Sequence, residues 1–135
     1  MRSELALGAV ALAVIVAYAG CGESGGGSRT TVAVQINMTN LVGECQKLAE
    51  ESARQRKDFW DSTDTLPPTI ASLSPQHVEV SIREWATVVD IQTMGGFNHR
   101  GYLVVCSSKD PNFVPQKGRN WRITKVAPAV FEYRE

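Results

Sequence analysis

Hydrophobic spacing divides the chain into an apolar leader, a polar gap, one helical stretch and a series of alternating runs. Leu5 to Gly20 is sixteen residues without a charge. From Thr31 to Met38, residues Val32, Val34, Ile36 and Met38 fall on every second position, the period of a strand. Val34 and Met38 also join Leu41, Cys45 and Leu48 in a helical stripe, so strand and helix both stay open there. Asn40 to about Trp60 predicts a helix with Leu41, Cys45, Leu48, Ser52 and Phe59 on its inner face. Glu44, Lys47, Glu50, Glu51, Arg54, Lys57 and Asp58 would form its solvated face, with Glu50–Arg54 and Arg54–Asp58 spaced as i,i+4 pairs. Thr39 or Asn40 would cap its start.

The polar run Asp61 to Thr65 ends that helix, because its side chains compete for backbone hydrogen bonds. One or two helical turns then fit between Pro67-Pro68 and Pro75, pinned by Ile70 and Leu73. The rest alternates as strands do: Gln76 to Arg83, Ala86 to Thr93, Tyr102 to Ser107, Trp121 to Val126 and Val130 to Arg134. Glu84-Trp85, the glycine-rich Gly95 to Gly101 and the stretch Lys109 to Asn120 serve as links. The expected class is α+β, one main helix on an antiparallel meander of about four to five strands.

Composition changes the reading of the leader. A membrane-crossing helix needs about 20 apolar residues, so the shorter Leu5–Gly20 run suits a secretory leader. Its end, Ala19-Gly20-Cys21, resembles the lipobox of bacterial lipoproteins, with Tyr18 where that family usually has Leu. The resemblance implies cleavage before Cys21, a diacylglyceryl group on its sulfur and a fatty acyl chain such as palmitate on the new N-terminus. A plain signal peptide, or a short membrane helix with an incidental cysteine, is the competing reading. Gly22, rather than the Asp that retains lipoproteins in an inner membrane, follows the cysteine. The implied location is therefore an exported domain held by lipid to a bacterial cell or outer membrane. The expected organisation is a leader over 1–20, a lipidated cysteine and Gly/Ser tether over 21–30, and one small domain over 31–135.

Lys+Arg and Asp+Glu both number 14. Such neutrality, with no basic stripe, argues against a nucleic-acid partner and leaves membrane attachment to the lipid. Lipidation of Cys21 leaves Cys45 and Cys106 as a pair in an oxidising compartment. A bond between them would close a loop of about 60 residues, worth roughly 4 kcal/mol in the chain-entropy model. Two separately buried thiols are the alternative. Two cysteines with two distant histidines lack the spacing of a zinc site, so neither metal nor cofactor is expected.

The run Ile70-x-x-Leu73-x-Pro75-x-x-Val78-x-Val80 with Gly95-Gly96-Phe97-x-His99-x-Gly101 resembles a pattern in small uncharacterised bacterial proteins. That resemblance implies a helix-plus-sheet layout and no activity. Gly95, Gly96, Phe97, Asn98, His99, Arg100 and Gly101 form the candidate binding loop, since polar groups and backbone freedom converge there. A hairpin with an idle histidine is the plainer reading. No G-x-S-x-G element or phosphate-binding loop is present. The expectation is a non-enzymatic envelope protein that binds a protein partner or aids an assembly. An inhibitor of a secreted hydrolase, probing with Gly95–Gly101, is an alternative. A small hydrolase pairing His99 with a carboxylate such as Asp90 is a further one.

Overall fold

A computed structural model of the chain describes residues 35–135. The leader, Cys21, the tether and most of the Thr31–Met38 run lie outside the described residues. Helix α1 spans Met38–Gln55 and helix α2 spans Pro68–Ser72. The strands are β1 (Phe59–Asp61), β2 (His77–Ile82), β3 (Ala86–Met94), β4 (Arg100–Ser108), β5 (Arg122–Ala127) and β6 (Val130–Arg134). They form one antiparallel sheet in the order β1-β2-β3-β4-β6-β5. The α+β class holds, with six strands rather than four or five.

The helix begins and ends elsewhere than its periodicity indicates. Its cap is Asn37, neither Thr39 nor Asn40, and the Asn37 side chain accepts from the Asn40 N–H at 3.1 Å. Met38 is already helical, so the alternating run does not extend into the helix as strand. At the other end Arg56 takes the left-handed conformation (φ 54°), which turns the chain out of the helix. Phe59 therefore never reaches the helical stripe, and Asp58 lies beyond reach of a helical pair with Arg54. Phe59–Asp61 become the sixth strand instead, pairing with His77–Glu79 and burying Trp60.

Strand alternation sends one set of side chains toward α1 and the other away from it. Val78, Val80, Val89, Ile91, Val104 and Val130 meet Leu41, Cys45 and Leu48 in one continuous apolar core. Each such side chain, taken out of water, contributes about 1.5–3 kcal/mol before entropy is charged against it. Ile70 of α2 is fully buried in the same core and Leu73 packs beside it. Glu44 is not a solvated helix charge. Its carboxylate accepts from the Thr69 N–H and hydroxyl and the Ile70 N–H at 2.8–3.1 Å, tying α1 to the first turn of α2.

On the opposite face Leu103, Phe131 and Tyr133 gather Val88, Val105, Trp121 and Ile123. No helix among the described residues covers them. The sheet order explains what does: β6, not β5, lies beside β4, so the chain leaving β4 must pass over the sheet to reach its far edge. Residues 109–121 make that crossing. No helix among the described residues is long and apolar enough to span a membrane.

Candidate functional site

The crossing link is fastened at both ends. Near its start the Lys109 N–H donates to the Trp85 carbonyl (2.9 Å), and the Lys109 ammonium approaches Glu84 at 3.3 Å. Near its end the Lys117 ammonium reaches Asp90 of β3 at 2.5 Å. Asp90 also accepts from the Tyr133 hydroxyl at 2.8 Å. Both charged side chains are largely buried, 17% exposed for Asp90 and 18% for Lys117. Lys117 further sits over the Tyr133 ring at 4.0 Å and the Trp121 ring at 5.0 Å, where ring quadrupoles favour a cation. Burial, and then the nearby Asp90 carboxylate, pushes the Tyr133 phenol up, so it remains a donor. Among the described residues no buried side-chain nitrogen or oxygen lacks a partner. This cluster is a clamp with its bonds already made.

Between the two fastenings the link and the sheet border a half-open cleft of about 310 Å³. Ala86, Val88 and Leu103 line its sheet side, while Phe113 and Pro115 come from the link. Trp85, 58% exposed, stands at the β2–β3 turn, and Glu79, Ser81, Arg83 and Gln116 add polar groups. Its charged lining is balanced, Glu79 and Asp90 against Arg83 and Lys117. The volume falls at the lower end of the range for small-molecule sites, about 300–1,000 Å³.

The candidate loop Gly95–Gly101 is split between two duties. Gly96 (φ +86°), the wholly exposed Phe97 and Asn98 form the tip of the β3–β4 hairpin. Gly95 packs beside Gln76 at the base of the turn, where a side chain would collide. His99 and Arg100 are not at the tip. The His99 Nδ1 pairs with the Glu135 carboxylate, its ring lies 5.4 Å from that of Trp121, and Arg100 contacts Glu132 at 3.5 Å. Gly101 leaves room for Tyr133: a Cβ there would lie 2.5 Å from the phenol oxygen and closer still to the Ile91 carbonyl. Its lack of a side chain is what lets Tyr133 cross β4 to reach Asp90.

His99 and Asp90 therefore have different partners, and His99 does not line the cavity. Among the described residues no group of three His, Cys, Asp or Glu side chains is placed to hold a metal ion. Cys45 and Cys106, expected as a disulfide, both pack in the helix-side core but are not bonded to each other in this structure. Sequence spacing missed the clamp, because Lys117 lies 27 residues from Asp90, and Tyr133 lies 43 from it. A lysine inside an otherwise polar loop carries no local signal of burial. The chain matches no protein-family model, no curated protein and no solved structure.

Proposed function

We propose that the chain is a lipid-anchored envelope protein whose folded part is a non-catalytic binding module, with the cavity beneath residues 109–121 as its recognition surface. The observation that carries this reading is the half-open cleft itself, bordered by Trp85, Phe113 and Leu103 and framed by a link that the Asp90–Lys117–Tyr133 clamp holds in place. Preformed concavity with apolar walls and a few polar groups is what a binding site requires. Balanced charge favours an occupant without a strong net charge. His99, the base a hydrolytic reading needs, is engaged with Glu135 outside this space. Attachment rests on the lipobox resemblance at Ala19-Gly20-Cys21, and export follows from the leader before it. Inhibition of a secreted hydrolase is the second reading, favoured by the complete exposure of Phe97 at the hairpin tip.

Photocrosslinking in intact cells separates these readings. A photoreactive residue replacing Phe113 gives a discrete adduct, and Val88→Trp, which fills the cavity, abolishes it. An adduct from position 97 alone supports the inhibitor reading, and silence at both positions defeats both. Labelling with a palmitate analogue tests the anchor: a Cys21→Ala chain labelled as strongly as the parent would overturn it.

A further inference from the structure

Cys45 lies on the inward face of α1 without exposed surface. Cys106 lies on the helix-facing side of β4, half-buried, and β4 is the strand that α1 touches most. Both sulfurs belong to one apolar cluster, and they are near enough that charge on Cys106 would oppose charge on Cys45. Cys106 has only a weak contact of 3.9 Å to the Val104 carbonyl on its own strand. We propose that Cys45 and Cys106 are a disulfide pair that closes while the chain folds, and that in a domain folded with both thiols reduced Cys106 enters the exchange first.

The order follows from access. In the folded domain Cys106 keeps partial exposure, whereas Cys45 has none. Thiolates, not thiols, attack disulfides. Burial pushes the Cys106 thiol up to about 11, leaving about one thiolate in ten thousand at neutral pH. Cys45 is pushed higher still by its deeper burial. In the unfolded chain both thiols titrate near the ordinary cysteine value of about 8.5, so exchange is quick until the core closes. One protein thiolate attacks one sulfur of an oxidant disulfide and releases the other as a thiolate. The second protein thiolate then attacks the protein's own sulfur in the mixed disulfide and displaces the second oxidant thiolate. Two protein thiols become one disulfide while one small-molecule or oxidoreductase disulfide becomes two thiols, the two protons lost by the protein thiols passing through solvent to the released thiolates. The bond would staple α1 to the middle of the sheet. It depends on neither the cavity nor the fate of Cys21.

The full chain tests this, reduced and unfolded in urea, then refolded in buffer containing oxidised and reduced glutathione. A second sample is folded reduced and given the same buffer afterwards. Denaturing alkylation and peptide mapping should show loss of both thiols on refolding and a linked pair of tryptic peptides, residues 30–47 with 101–109. The prefolded sample should oxidise at least about tenfold more slowly, and urea should restore the rate. Free Cys45 and Cys106 after refolding, or linkage chiefly through Cys21, would overturn the pairing. Equal rates would overturn its coupling to folding. Given glutathione only after folding, Cys45→Ser (or Cys45→Ala, should serine prevent folding) should collect glutathione on Cys106, whereas Cys106→Ser should leave Cys45 unmodified. The reverse pattern would overturn the order of attack.

Discussion

The two faces of this sheet are closed by different physics. Under α1 the closure is mainly apolar, with Leu41, Ile70, Val78, Val89, Ile91, Val104 and Val130 wholly buried. On the other face an irregular link does the covering, and a charged clamp holds it. Helical side chains fill the space between backbone and sheet because they recur along one stripe. A link of irregular backbone has no such stripe, so it touches the sheet at its fastenings and leaves a hollow between them. Apolar packing is therefore concentrated on the first face and open space on the second.

Substitutions should expose that division. Leu41→Ala, in the helix-side core, should cost about 2–5 kcal/mol in urea unfolding and affect the cavity only by unfolding the whole domain. Gly101→Ala should cost about 1–3 kcal/mol, because the new methyl meets the Ile91 carbonyl and the Tyr133 phenol. It should also release Tyr133 from Asp90, which a shift in tyrosine absorbance would report. Lys117→Met leaves the Asp90 carboxylate largely buried with only the Tyr133 hydroxyl, at a cost of about 1–3 kcal/mol. Protease should then cut within 109–121 while amide protection of α1 stays unchanged, and a uniform loss of protection would contradict independent faces. Arg56→Gly, which relieves a left-handed non-glycine residue, should stabilise α1 by about 0.5–1 kcal/mol without touching the cavity.

The smallest effect lies at the turn after β1. The Thr63 hydroxyl and N–H hold Asp61 below its ordinary carboxylate range, and the Lys57 ammonium with the Asp61 N–H does the same for Asp64. Because folding lowers both values, their contribution is present above the unfolded carboxylate value of about 3.9. It is lost as pH falls through the lower folded values. Asp64→Asn should flatten that part of the acid unfolding curve.

Periodicity made the helix-side face legible, since strands β2 to β6 and the stripe of α1 are local patterns of apolar spacing. It misplaced Phe59 because period alone cannot register that Arg56 turns left-handed. It missed β1 because three residues carry too little alternation. Glu44 read as a surface charge because its partners, Thr69 and Ile70, arrive from another helix. The second face was the less legible one for the same reason. Nothing near Asp90, Lys117 or Tyr133 in sequence announces that the order β4-β6-β5 will bring them together.

That strand order also decides what the sheet offers to other copies of the chain. One border is β1, only three residues long, and the other is β5, where Arg122 and Lys125 are exposed and a register irregularity interrupts pairing between Lys125 and Ala127. Short, charged and kinked borders are poor templates for adding a further strand. Neither border therefore offers another copy a long, flat row of unpaired backbone groups to extend.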